Sequence, residues 1–465
     1  MKSLNKILLI SLGALILLSI GLFNGYPLVY SDTGTYIYSG FDSFIPKDRP
    51  VTYGYLIKFI SLKYSLWFVI IFQNLITSFI IFKTLKTLRI SSKNFNFIFL
   101  SVILFLTFFS GIAWYTNQIM PDFFAPLLVL SLYILIFDKN LSFTDNIFLF
   151  LILIISITVH FSHLILSTFI ILFITVAKLL SSKYLKQISF KKISLVFMVI
   201  FISWFIIPGI NYITEQKFIL SKSSHVFLTA HLVDTGILEK FLTEHCNDKE
   251  FKDLKLCRYK DSLPTDLASF LWSGNTLKNT GGWENSNEEY NKIIKAVIKN
   301  PEYLFMNIYK SITYGFIQLT RNDVGQGLTP YNKGSAPYGQ IHWRFRNELN
   351  NYLNSKQNKW NGVNLSFKII NTIQTIILIL SLLFFIYIFT SGKKYIKNNE
   401  SYTFVVFILG AIIINAFSTA GINSPCSRFQ ARVVWMFPFA LIIFMLKNYK
   451  LIFKHLLKRS KNIFY

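Results

Sequence analysis

The chain has 465 residues, of which 53% are hydrophobic and only 15% charged, whereas ordinary soluble domains carry about 25% charged residues. This composition excludes a soluble globular protein and describes an all-α polytopic membrane protein. A net charge of +25 would suit a nucleic-acid partner only if the basic residues shared one water-exposed face. They fall instead in short gaps between apolar runs, so no nucleic acid is expected and the charge is topological.

Lipid offers no partner for backbone polar groups, so each apolar run of roughly 17 to 25 residues reads as a spanning helix. Ten such runs occur, at about 5–24, 65–84, 96–115, 120–137, 146–161, 163–180, 193–213, 366–390, 402–420 and 431–447. The first follows Lys2 and Lys6 and lacks a small-x-small cleavage site, which makes it an uncleaved anchor. The fifth and sixth are so close that they form a tight hairpin. Basic residues then collect in alternate gaps: Lys2 and Lys6; Lys83 to Lys93; Lys178 to Lys192; Lys393, Lys394 and Lys397; and Lys447 to Lys461. By the positive-inside rule both termini are cytoplasmic. The chain divides into an N-terminal membrane module (1–212), an outer, mainly helical domain between the seventh and eighth helices (213–365), and C-terminal helices with a basic tail (366–465). A composition rich in Asn, Lys, Ile and Phe suggests an AT-rich bacterial source. The expected location is the bacterial inner membrane, with the outer face periplasmic or extracellular.

That outer face receives the chemistry-bearing residues. In the first outer loop, 35–40 and 51–62 carry apolar residues at helical spacing and suit short helices lying along the interface. In the insertion, 287–298 reads as a helix capped by Ser286, with Glu289 completing a capping box and Asn300-Pro301 as its stop. A second helix is expected over 302–317. Of the three cysteines, Cys246 and Cys257 fall in this region, where an oxidising compartment permits a bridge.

Asp32, in Tyr30-Ser31-Asp32-Thr33-Gly34-Thr35-Tyr36, could serve as a general base toward a hydroxyl; equally, Ser31 or Asp32 could cap a helix start. Asp122, after Pro121, suits the first turn of the fourth membrane helix, and as an ionisable group at a membrane boundary it is also a catalytic candidate. His160 and His163 could hold a phosphate or a substrate hydroxyl, or simply pack. Two histidines without an assured third ligand do not make a metal centre. Arg428 and Arg432 oppose the positive-inside trend. They could clamp a phosphate through paired donors, or snorkel to lipid headgroups. Asp48 and Arg49, in the first outer loop, complete the candidate phosphate-binding set.

Taken together, Asp32 in Ser31-Asp32-Thr33-Gly34-Thr35-Tyr36, Asp122 in Met120-Pro121-Asp122, and Arg428-Phe429 followed by Pro438 resemble the motifs of the GT-C superfamily of polytopic glycosyltransferases. Asp32 is followed by Thr33 where many members have a second acidic residue, and the insertion over 213–365 carries no motif that ties it to a particular periplasmic domain. The resemblance implies a polyprenyl-phosphate-linked sugar donor with its phosphate near Arg428, and a glycan, lipid or protein acceptor. It also implies Asp32 as base, inversion at the anomeric carbon, membrane lipids as surroundings and no cofactor or metal. Two rivals stand beside it. One is a polysaccharide polymerase or ligase leaning on Arg321, Arg344 and Arg346; the other is a lipid-linked-sugar flippase or transporter, which would place ionisable groups near the bilayer midplane.

Overall fold

The structure is a computed structural model that describes residues 2–90, 93–180, 188–359, 365–391 and 400–463. Among these, every regular element is helical, and a single isolated bridge joins Leu28 to Gln118. Seven helices are long and apolar enough to cross a membrane: Leu4–Asn24, Trp67–Thr87, Phe161–Leu180, Phe190–Glu215, Lys368–Thr390, Glu400–Ala420 and Ser427–Lys450. Three shorter apolar helices, Phe95–Phe109, Pro121–Phe137 and Phe143–Thr158, occupy the positions of the other expected runs. Lys183, Lys186, Lys393, Lys394 and Lys397, used above to orient the chain, lie outside the described residues. Apolar side chains such as Leu8, Leu15, Phe201 and Leu383 are exposed on the outside of the bundle, as a lipid-facing surface requires.

Two of the expected helices are broken, each for a local reason. The run at 96–115 stops at Phe109 and resumes over Ile112–Thr116. Ser110 is extended there, and the Gly111 amide donates to Gln374 Oε1 at 2.7 Å. The last span divides at Trp435 into Ser427–Val434 and Met436–Ile463. Pro438 has no amide to donate to the Val434 carbonyl one turn back, and the Trp435 indole donates to the Arg432 carbonyl at 3.0 Å. Only Val159 and His160 separate Phe143–Thr158 from Phe161–Leu180, which gives the tight hairpin.

The first outer loop forms two helices, Ser31–Asp42 and Thr52–Ile60. They cross where Gly40 meets Gly54; a Cβ on Gly40 would lie 2.0 Å from the Gly54 carbonyl oxygen, so only glycine permits the approach. Neither Ser31 nor Asp32 caps the first of these helices. Tyr30 is the N-cap, and its amide donates to Thr33 Oγ1 at 2.9 Å, which leaves the Asp32 side chain free for other partners.

The insertion joins two different cores. Residues 226–303 enclose their own, built from residues such as Val226, Phe241, Leu256, Tyr290 and Ile293. Val324, Leu328, Ile341, Phe345 and Tyr352 instead belong to the membrane core. In the smaller unit the helices run over Asn287–Lys299 and Pro301–Thr320. The capping box is absent: Ser286 Oγ donates to the Gly282 carbonyl, and Glu289 accepts the Leu256 amide at 2.8 Å. A tertiary partner has taken the carboxylate that the local motif would use.

Cys246 and Cys257 are joined in a disulfide, with a Cα–Cα distance of 5.6 Å, and Cys426 is free. Such bridges persist in oxidising compartments and are rare in the reducing cytoplasm. Protein taken from membranes and denatured without reductant should therefore react with one equivalent of maleimide, and with three after reduction. Three equivalents before reduction would show that the bridge between Cys246 and Cys257 does not form.

Candidate functional site

Asp32, Asp48, Arg49, Asp122, His160, His163, Arg428 and Arg432, drawn from four separate regions of the chain, meet at one end of the bundle. The segment after the first helix is held by backbone pairing, with the Leu28 amide donating to Asn117 O at 2.9 Å and the Ile119 amide to Leu28 O at 2.8 Å. Thr33 Oγ1 adds a bond to Ile119 O at 3.0 Å. These contacts set the turn carrying Asp32 beside the turn carrying Asp122.

Asp32 stands between two guanidiniums: Arg49 Nη1 lies 3.0 Å and Arg428 Nη1 3.3 Å from its Oδ2. Asp48 holds Arg49 from the other side through Nε, at 3.1 Å, and Nη2. Deeper in, Arg432 Nη1 donates to Asp122 Oδ1 at 3.1 Å, and Arg428 Nε lies 3.7 Å from the same oxygen. Arg432 Nη2 reaches Ser162 Oγ and Asn415 Oδ1, each at 3.3 Å. Three carboxylates thus face three guanidiniums. The rings of Tyr36, Tyr30 and Phe429 lie under Arg49, Arg428 and Arg432 at 5.0, 4.6 and 5.1 Å, adding cation–π attraction.

Exposure is graded across the cluster. The Asp122 and Arg432 side chains are fully buried, Arg49 and Arg428 are 11% exposed, and Asp32 is the most open at 22%. This burial overturns the snorkelling alternative for both arginines, because their guanidiniums are engaged by protein carboxylates. Burial pushes the Asp32 carboxyl up, but the charges of Arg49 and Arg428 pull harder and hold it below its ordinary value. His160 Nδ1 accepts the Ser162 amide at 3.2 Å and lies 2.8 Å from Ser162 Oγ, which also accepts from Arg432 Nη2. His163 Nδ1 donates to Ser156 O at 2.7 Å. His163 Nε2, Asp122 Oδ2 and Arg428 Nε are buried without a hydrogen-bond partner among the described residues.

Several supporting residues carry no motif. Gln326 Oε1 accepts the Arg428 amide at 2.9 Å, and Tyr115 Oη donates to the Arg428 carbonyl at 3.2 Å. Glu348, from the late part of the insertion, is buried and accepts Tyr26 Oη at 2.8 Å and the Leu66 amide at 3.2 Å. Gln357 brackets Val29, accepting its amide at 3.0 Å and donating to its carbonyl at 2.7 Å. Asn415 and Gln374 could have been flagged as polar residues inside apolar runs; Glu348 and Gln357 lie in a polar stretch that offers no such contrast.

A small cavity lies between Trp114, Tyr115, Gln118, Gln326 and Arg428. Trp114 also borders an apolar groove of about 570 Å³, whose walls include Ile20, Phe23, Phe108 and Ile370 and which carries Lys356 and Lys359. No group of three or more His, Cys, Asp or Glu side chains among the described residues is arranged to hold a metal ion.

No family model, curated protein or solved structure matches this chain.

Removing one member of a buried ion pair leaves the other uncompensated, at a cost of about 3–5 kcal/mol. Arg432→Leu should lower stability by about that amount in denaturant unfolding of the micelle-solubilised protein. Asp122→Leu with Arg432→Leu should cost clearly less than the sum of the two single changes.

Proposed function

We propose that this chain is a membrane glycosyltransferase that moves a sugar from a polyprenyl-phosphate-linked donor to an acceptor hydroxyl at the outer face of the bacterial inner membrane. The observation that carries this reading is a carboxylate at the open edge of the cluster, held between two guanidiniums that a phosphate could recruit. The apolar groove adjoining Trp114, with its two lysines, gives a lipid-linked phosphate a route that suits both of its ends. The ten apolar helices would all span, with both termini cytoplasmic.

Arg49 and Arg428 would turn from Asp32 toward the donor phosphate, since a phosphate oxyanion competes well for guanidinium donors. Asp48 and Asp122 keep those arginines aimed; Arg432 stays with Asp122 and steadies the turn that carries Ser162 and His160. Losing part of its positive surroundings makes Asp32 a stronger base. It then takes the acceptor proton as the acceptor oxygen bonds to the anomeric carbon from the face opposite the phosphate. The C1–O bond to phosphate breaks with its electron pair on the departing phosphate, giving inversion. Positioning and electrostatic stabilisation supply the rest of the rate.

The polymerase or ligase alternative relies on arginines that stand elsewhere: Arg321 and Arg346 are exposed, and Arg344 pairs with Asp42. A transporter would place its ionisable groups near mid-span, whereas the turns carrying Asp32 and Asp122 stand at helix starts.

The deciding assay follows radiolabelled sugar leaving a pool of polyprenyl-phosphate donors in membranes holding wild type or Asp32→Asn at equal abundance. Removing a general base should slow transfer by about 10²- to 10⁴-fold; undiminished transfer would remove Asp32 from the mechanism. Because the two arginines depress the Asp32 carboxyl in the free enzyme, kcat/KM should stay flat on the acid side down to about pH 4, the ordinary carboxylate range. The acid limb of kcat, which reports the substrate complex, should lie at higher pH. Coincident limbs would argue against a handover of the arginines.

A further inference from the structure

The opposite end of the bundle carries a second charged site that the proposed reaction does not use. The Phe124–Phe137 helix begins beside Asp122 and runs 14 residues, about 21 Å at the α-helical rise, to a cavity of about 730 Å³. That volume is in the range of ligand-binding cavities, about 300–1,000 Å³. Six basic residues line it, Lys6, Lys83, Lys86, Arg89, Lys139 and Lys192, against two acidic ones, Asp138 and Glu400.

The carboxylates near it are already engaged. Lys83 and Lys6 share Asp145, Glu400 pairs with Lys447, and Asp138 accepts Thr87 Oγ1 and the Asn140 amide. Lys192 donates to the Asp138 carbonyl. Lys86, Arg89 and Lys139 therefore border the cavity with no carboxylate partner among the described residues. Lys86 lies over the Phe95 ring at 3.7 Å.

The backbone supplies an independent observation. Arg89 has φ +52° just beyond the end of the Trp67–Thr87 helix, where its amide donates to Lys86 O and the Ile90 amide to Leu85 O. This left-handed C-terminal position is the one glycine ordinarily fills. An arginine kept in an unfavourable conformation at a binding cavity points to use of its side chain. The same cavity has an apolar wall that includes Phe82, Ile136 and Phe137, so it offers cations for a phosphate and carbon surface for what the phosphate carries.

We propose that this cavity is a phosphate-recognition site at the end of the bundle remote from the reaction centre, and that its ligand is a phosphoryl group such as the headgroup of an anionic phospholipid. Basic pockets between membrane helices bind such headgroups by charge and short range.

The test uses the full chain in a neutral detergent and measures binding of short-chain phosphatidylglycerol and phosphatidylcholine to wild type, to Arg89→Gly, and to Lys86→Ala/Arg89→Gly/Lys139→Ala. Glycine suits the left-handed turn, so the single variant keeps its fold and the test does not depend on the triple one. Wild type should bind phosphatidylglycerol at least tenfold more tightly than phosphatidylcholine, Arg89→Gly should lose several-fold of that preference, and the triple variant should lose nearly all of it. Inorganic pyrophosphate titrated without lipid distinguishes the sources: binding tighter than that of phosphatidylglycerol assigns a free phosphate ligand, and weaker binding assigns a lipid headgroup. Equal binding of the two lipids by wild type, with no binding of pyrophosphate, would overturn the proposal. A preference unchanged in Arg89→Gly and in the triple variant would also overturn it.

Discussion

Withdrawing a carboxylate and a guanidinium fully from water costs several kcal/mol for each ion, so Asp122 and Arg432 can be buried only together. Much of the architecture at this end of the bundle meets that condition. The Pro121 turn brings Asp122 inward, and the break at Trp435 lets the helix carrying Arg432 stop beside it. The hairpin supplies Ser162, and the Glu400–Ala420 helix supplies Asn415, to occupy the remaining Arg432 donors. The pair is a seam that fixes how four elements meet, and its worth lies in placement more than in stability.

Outward from the seam the same logic loosens. Arg428 touches both carboxylates, Asp122 behind it and Asp32 in front, so it links the buried pair to the part-open edge. Asp32 and Arg49 sit on or beside helices locked by the contact of Gly40 with Gly54. Such support holds side chains more accurately than mobile loops can. The late segment of the insertion reaches back through Glu348 and Gln357 to fix residues 24–29 and 65–66. The proposed reaction edge is therefore framed by both halves of the chain.

Much of this was legible from the sequence because a charge beside an apolar run is conspicuous. Asp32, Asp122, Arg428 and Arg432 each stand out in that way, and the membrane-forming runs follow from hydropathy alone. Their pairing was not legible: nothing local relates Arg432 to Asp122 across 310 positions. Glu348 was invisible because it lies in a hydrophilic stretch where carboxylates are ordinary, and only its burial against Tyr26 sets it apart. The capping box at Ser286 failed for a related reason. Glu289 can satisfy its own helix or the Leu256 amide, and the tertiary fold chose the latter. The breaks at Ser110 and Trp435 lay inside stretches apolar enough to read as uninterrupted helix.

The distance between the two halves of the seam also imposes a timetable. Asp122 and Arg432 are 310 residues apart, and at about 5–20 residues per second a ribosome needs roughly 15–60 s to travel between them. Until the last helix arrives, the Asp122 carboxylate can remain hydrated only if the helices around it stay parted at that end. The final span thus acts as a closing bolt: a chain cut short before Ser427 would lack the guanidinium that lets Asp122 be buried as an ion.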